Sequence, residues 1–137
     1  MKKVMSVVLV LVMVLSLAAC AAAPESAESK VASYVEKYGS SLVSGLEEAF
    51  ATSSGMTCES SVKAEGTGII IDIKINELDN LTQEQKDLMQ GAYDAMGSSF
   101  DVTLTTVQKE ITEVTYMTIH VCEKDGDVVA TIQLGQK

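Results

Sequence analysis

An α+β fold is predicted by three patterns in this sequence. Residues 68–76 alternate isoleucine with mostly polar residues, which is typical of a strand with one buried and one solvated face. Residues 29–51 and 82–110 repeat apolar residues at spacings of three and four, which is typical of amphipathic helices. Gly66-Thr67-Gly68 is a permissive turn and Asp125-Gly126 lies between two β-branched runs, so both predict hairpins. We therefore predict a two-layer α-β-β-α-β-β domain, with a four-stranded antiparallel sheet and two helices on one face.

The first helix is predicted over residues 29–51 and should bury one apolar stripe. Ser26 and Ser29 both suit its N-cap, because a serine hydroxyl accepts a hydrogen bond from a free backbone N–H. Gly55 suits a left-handed residue at its end. The stripe consists of Val31, Tyr34, Val35, Tyr38, Leu42, Leu46 and Phe50.

The two hairpins are predicted over residues 56–76 and 113–134. Their strands span 56–65 and 68–76 in the first hairpin, and 113–123 and 127–134 in the second. Since side chains alternate between the two faces of a strand, one set should face the helices. That set is Met56, Cys58, Ser60, Val62, Ala64, Ile69, Ile71, Ile73, Ile75, Met117, Ile119, Val121, Val128, Ala130, Ile132 and Leu134.

One long helix is predicted over residues 82–110. Thr82 and Gln85 form a capping box at its start. At 1.5 Å per residue this helix would be about 43 Å long, and the nine-residue strands span only about 30 Å. Gly97-Ser98-Ser99 is therefore the expected position of a bend. A strand over 99–107 is the alternative, because Phe100, Val102 and Leu104 alternate among β-branched threonines.

The N-terminal leader resembles the signal peptide of bacterial lipoproteins. Lys2 and Lys3 precede about 14 mostly apolar residues, which is too short for a relaxed membrane span. Leu17-Ala18-Ala19-Cys20 then matches the lipobox, Leu-(Ala/Ser/Thr)-(Gly/Ala)-Cys, at every position. The resemblance implies a diacylglyceryl thioether on Cys20 and cleavage between Ala19 and Cys20. An ordinary secretory signal and a retained transmembrane helix are the alternatives.

This leader divides the chain into a signal peptide at 1–19, a tether at 20–28 and a single α+β domain at 29–137. The expected location is the extracytoplasmic face of the cell membrane, with the lipid on Cys20 as the anchor. Removing the leader takes away two lysines and takes the formal charge from −9 to −11. An acidic chain repels nucleic acid, so we exclude that partner and expect an unknown protein or envelope partner instead.

The whole chain also resembles small lipoproteins of Gram-positive bacteria that carry a domain of unknown function. The shared features are a lipobox, Leu81-Thr82-Gln83-Glu84 at a helix start, Phe100 within the helix, and an Asp125-Gly126 turn. The resemblance implies location and fold. It implies no activity, and we expect no cofactor.

The two cysteines of the domain are predicted to be free. An exported protein with two cysteines favours a disulfide, and Cys58 and Cys122 are the pair available. However, Cys58 belongs to the inward set and Cys122 alternates with inward Ile119 and Val121. Thiols on opposite faces of one sheet cannot meet the geometry of a disulfide.

The sheet face away from the helices is the candidate binding face, for a non-catalytic binding or accessory module. Exposed apolar groups among polar ones are typical of partner sites, and the residues concerned are Ile70, Asp72, Tyr116, Thr118 and His120. The alternative is a small hydrolase or metal-handling protein that uses His120. We predict no catalytic and no metal site, because Ser-x-x-Lys and nucleophile-elbow patterns are missing and Asp125 and Asp127 are explained by turn chemistry.

Overall fold

The computed structural model describes residues 26–136, without the side chains at 49, 50, 53, 97 and 99. The leader and most of the tether therefore lie outside the described residues. The elements, in chain order, are helix α1 (Ala27–Ser54), strands β1 (Cys58–Glu65) and β2 (Gly68–Ile75), helices α2 (Gln83–Ala95) and α3 (Gly97–Glu110), and strands β3 (Tyr116–Cys122) and β4 (Val128–Gly135). The predicted α+β class and both hairpins are confirmed.

The four strands form one mixed sheet in the order β1-β2-β3-β4, so the prediction of an entirely antiparallel sheet is wrong. Both hairpins are antiparallel, but the central pair β2–β3 is parallel. The chain that leaves β2 returns through α2 and α3 and re-enters the sheet at the end where β2 began. The backbone N–H of Thr115 there donates to the carbonyl of Thr67 at 2.9 Å. A helical crossover of this kind is how parallel neighbours are joined.

Residues 82–110 form two helices, so the domain has three described helices and the predicted count of two is wrong. The break lies at Met96, whose backbone N–H bonds the carbonyls of Ala92 and Tyr93. Residues 99–107 are helical, which excludes the alternative strand. A straight helix would overrun the sheet, and the break instead turns the chain so that α3 packs against β4.

The predicted helix signals are confirmed at three ends. Ser26 caps α1 by accepting from the backbone N–H of Ser29 at 3.1 Å, and α1 begins at Ala27, two residues before the predicted domain boundary. Gly55 ends α1 in the left-handed conformation, with φ 71°. Thr82 and Gln85 form the capping box of α2.

One apolar core lies on the face of the sheet that α1 and α3 cover. Val31 and Tyr34 enter it from α1, and Leu104 and Val107 enter from α3. The sheet contributes Ile69, Ile71, Ile73, Ile75, Met117, Ile119, Val121, Ala130, Ile132 and Leu134. All buried members of this cluster lie between residues 31 and 134, so the core of the described domain needs no part of the leader.

Helix α2 differs from the other two because none of its residues is buried. It lies along β4, the last strand of the sheet, so the predicted arrangement of two helices on one face is wrong. The Gln90 side-chain amide accepts from the backbone N–H of Thr131 at 2.8 Å and donates to its carbonyl at 2.9 Å. At the other edge, Glu47 of α1 accepts from the N–H of Ser60 at 2.6 Å. Helix side chains thus occupy hydrogen-bonding groups at both open edges.

The predicted alternation fails at the start of β4. A register shift between Val121 and Cys122 places Val128 opposite Cys122 and Ala130 opposite Val121. Val129 is therefore the extra residue of a bulge and is buried, whereas Val128 is half exposed. The expected inward position of Val128 is wrong for this reason.

Gln90 gives a first testable expectation. Gln90→Ala removes both bonds to Thr131 and leaves an edge N–H and carbonyl open to another strand. We expect a small loss of stability, about 1 kcal/mol, and concentration-dependent self-association in light scattering. Gln83→Ala is the matched control, because that amide bonds only Asp87 on its own helix among the described contacts. A Gln90→Ala protein as monomeric as the control at high concentration would contradict the expectation.

Candidate functional site

The predicted binding face contains one polar pair at its centre. Asp72 and His120 are register partners on the parallel strands β2 and β3. Asp72 Oδ1 lies 2.7 Å from Nδ1 of His120, and both side chains are about one third exposed. Beside them, Thr118 donates to Gln133 Oε1 at 2.8 Å. Polar side chains on neighbouring strands thus lie in pairs, and the members of each pair satisfy each other's hydrogen-bonding groups.

The apolar members of that face are not exposed, and this part of the prediction is wrong. Ile70 and Tyr116 are each only 5% exposed, and Thr118 is 7% exposed. The Tyr116 ring lies directly over Gly68, where an added Cβ would be 2.1 Å from the ring. Its hydroxyl donates to the carbonyl of Glu65 at 2.8 Å. Only Asp72 and His120 of the five residues offer appreciable surface.

The acidic turn after β3 is organised by a lysine. Glu123, Asp125 and Asp127 bring carboxylate oxygens within 4.8 Å of one another. Glu123 is buried, and its two oxygens accept from the backbone N–H of Leu81 at 2.5 Å and from Lys86 Nζ at 2.9 Å. The bond to Glu123 and the nearby acids raise the pKa of Lys86. Glu123, the buried carboxylate of these three possible metal ligands, is therefore already paired with the Lys86 ammonium group.

Cys58 and Cys122 are free thiols in the structure. Cys58 is the register partner of Ile75, and Cys122 is the partner of Lys74. Because Lys74 and Ile75 are consecutive residues of β2, the two thiols lie on opposite faces. Burial raises the pKa of both, which lowers their reactivity as nucleophiles.

An apolar cleft on the helix-bearing face was not foreseen from the sequence. Its volume is about 400 Å³. Its floor is the branched side chains of the three strands β2, β3 and β4, namely Ile73, Ile75, Ile119, Val121 and Ile132. Its walls are helical: Leu46 of α1, Tyr93 of α2, Met96 at the helix break, and Phe100 and Thr103 of α3.

Helices α1 and α3 approach each other where α1 begins and α3 ends. There, Tyr34 donates to Glu110 Oε2 at 2.6 Å and Lys30 lies 2.7 Å from Glu113. Burial and the Glu110 carboxylate raise the pKa of Tyr34 to about 12, so this tyrosine stays a donor at all ordinary pH. Towards the other end, α1 packs over β1 and α3 over β4, and the central strands between them form the floor.

The polar groups of the cleft are two hydroxyls. Thr103 is exposed and lies at the rim. Tyr93 is half buried, its ring packs 6.4 Å from that of Phe100, and burial raises its pKa. Within the part of the chain that the structure describes, the Tyr93 hydroxyl forms no hydrogen bond.

The sequence contained a weak signal for this cleft. Tyr93, Met96 and Phe100 fit the apolar spacing of three and four that predicts an amphipathic helix over 82–110, and such a stripe indicates a buried face. The stripe is longer than the sheet that it would cover. Apolar residues beyond what a sheet buries are available to line a site.

Several predictions fall outside the described residues. Ala19 and Cys20, the expected cleavage and lipidation sites, belong to that part of the chain. Among the described helices, none is both long and apolar enough to cross a bilayer.

Comparison with known proteins supports the fold alone. No known family and no curated protein matches the sequence. One solved structure is similar, that of a presumed secreted protein from Pseudomonas aeruginosa, with a TM-score of 0.55. The similarity covers 82% of this chain and 96% of the other, at 14% identity. The arrangement of helices and sheet thus recurs in a protein of very different sequence.

Proposed function

We propose that this chain is an extracytoplasmic lipoprotein, anchored to the membrane through Cys20, and that its folded domain is a non-catalytic binding module. The apolar cleft between α1 and α3 is the observation that supports the proposed binding function. The complete lipobox at Leu17–Cys20 supports the anchor, as does the resemblance to small Gram-positive lipoproteins.

The cleft has the properties of a binding site. Its volume of about 400 Å³ lies within the range of about 300–1,000 Å³ that is usual for small-molecule sites. Branched aliphatic and aromatic side chains line it, with few polar groups, as such sites require. Among its described lining residues there is no carboxylate, imidazole, thiol or amine. Chemistry that needs a general base or an activated nucleophile has no support at this position.

The anchor gives a direct expectation for Cys20. Cys20→Ala should abolish incorporation of a fatty-acid analogue and leave the precursor uncleaved after Ala19, because lipid attachment needs the sulfur. Metabolic labelling followed by mass spectrometry measures both. Cys58→Ala is the matched control and should be labelled like the wild type. Label retained by Cys20→Ala would refute lipid attachment at this residue.

Binding in the cleft is tested with Nile red, a neutral dye whose fluorescence rises in apolar surroundings. The protein is the chain without its leader, residues 21–137, which contains the complete described core. We expect saturable binding that Thr103→Trp reduces at least tenfold, because an indole at the rim occupies the opening. Thr105→Trp is the control, since Thr105 is equally exposed on α3 and does not line the cleft. Equal loss in both variants, or no saturable binding, would refute the proposal.

The alternative function is a hydrolase that uses His120, and the Asp72 contact is the observation in its favour. A carboxylate at Nδ1 orients an imidazole so that Nε2 can act as a base. The register partner of His120 on β4 is Thr131, and among the described residues no hydrogen bond joins the two side chains, as a nucleophile and its base would require. We expect wild type and His120→Gln to hydrolyse a chromogenic ester equally slowly. A rate that disappears in His120→Gln would favour the enzyme.

A further inference from the structure

We infer that the cleft binds one aliphatic chain of a neutral, single-chain lipid, with the polar head of that lipid at the rim near Thr103. This inference rests on the proposed binding function and adds the chemical class of the ligand. It is carried by the shape, lining and charge of the cleft.

The lining favours an aliphatic chain. Five branched side chains from three strands form the floor, and Leu46 of α1 and Phe100 of α3 add apolar surface from two helices. Covering such a lining with an apolar group is favourable, because it removes apolar surface from water. A peptide helix, by contrast, needs a groove long enough for anchors over two turns. A single cavity of about 400 Å³ between two splayed helices fits one chain better.

The charge distribution favours a neutral head. Among the described lining residues no side chain is charged, and the whole chain has a formal charge of −9. A carboxylate or phosphate head would therefore meet an unfavourable potential without a cation to pair with. The hydroxyls of Tyr93 and Thr103 are suited to bind the hydroxyl or ester groups of an uncharged head.

The lipid on Cys20 is the competing occupant of the cleft, and we infer a separate molecule instead because the tether is short. Leu46 lies 19 residues after Ala27 on α1, which is about 28 Å along the helix. The residues from Cys20 to Ser26 reach at most about 21 Å when fully extended. Even if the tether runs straight back along the helix, the Cys20 sulfur falls short of Leu46 by about 7 Å, so its lipid could enter only with acyl chains withdrawn from the membrane, which costs about 0.8 kcal/mol per CH₂.

The test measures how well monoacylglycerols displace Nile red from the protein of residues 21–137. The monoacylglycerols increase in acyl-chain length, and each is used below its critical micelle concentration. Each added methylene should strengthen binding about fourfold until the chain fills the cavity, after which the affinity should level off. The fatty acid of the same length should bind at least tenfold more weakly at pH 8, because it is then an anion. Thr103→Trp should weaken the monoacylglycerol at least tenfold, and Thr105→Trp should not.

The outcomes separate this inference from the proposed function. If Nile red binds but no monoacylglycerol displaces it, the ligand class is wrong and the binding function stands. If the fatty acid binds as tightly as the neutral lipid, the inferred head is wrong. If Nile red itself fails to bind, both proposals fail. A photoreactive monoacylglycerol tests whether the protein's own lipid occupies the cleft. If it labels the 93–103 segment in the non-lipidated chain but not in the lipidated protein in nanodiscs, the lipid on Cys20 occupies the cleft. That result would overturn the choice of a separate molecule.

Discussion

Gly68→Ala is expected to lower the free energy of unfolding by about 3 kcal/mol. The ring of Tyr116 covers Gly68 so closely that a Cβ would lie 2.1 Å from its Cζ atom. The ring must therefore move, and it would lose its 2.8 Å hydrogen bond to the carbonyl of Glu65. Urea denaturation with linear extrapolation measures the loss.

Gly45→Ala is the matched control for this substitution. A Cβ at Gly45, within α1, would have no heavy atom within 4 Å, so the change only adds helix propensity. We expect a gain of about 0.5–1 kcal/mol. Tyr116→Phe should lose about 1 kcal/mol, the hydrogen bond alone. If Gly68→Ala proves as stable as the wild type, the close packing of Tyr116 on Gly68 is wrong.

Glu123→Ala is expected to have the second largest effect. The side chain is only 3% exposed and accepts hydrogen bonds from the Leu81 N–H and from Lys86. Its removal leaves the Leu81 N–H without an acceptor, which costs about 1–3 kcal/mol, and separates Lys86 from its ion-pair partner. The start of α2 then loses its attachment to the end of β3. Urea denaturation again gives the magnitude.

Two further variants at acidic positions make this expectation specific. Glu123→Gln keeps an acceptor for Leu81 and should lose less stability than the alanine variant. Asp79→Ala removes a surface ion pair with Lys124, in which both side chains are at least 40% exposed, so stability should hardly change. A Glu123→Ala protein no less stable than Asp79→Ala would show that Glu123 has no structural role.

Local sequence patterns determined most of the elements. The alternating isoleucines of 68–76 became β2, the capping box at Thr82 began α2, and Gly66 and Gly126 adopted positive φ in the two predicted turns. These features could be predicted because each depends on residues close in the chain, where steric limits and hydrogen bonding to neighbouring backbone decide the conformation.

The candidate site was predicted poorly. Asp72 and His120 were correctly placed on one face, because both alternate with buried residues in their strands. The burial of Tyr116 could not be predicted, since it depends on Gly68 in the neighbouring strand. The cleft could not be predicted either, because its ten lining residues come from three helices, the break between two of them, and three strands.

The sequence by itself determined the strands, the two hairpin turns and the helical segments, but not the break at Met96. Only the tertiary structure decided that β2 and β3 are parallel, that a bulge moves Val128 outward, and that α1 and α3 separate over the central strands. The physical reason is that side-chain alternation has a period of two whatever the direction of the neighbouring strand. An apolar helical stripe likewise shows which side must be buried, but the packing partner depends on how long, non-local segments meet.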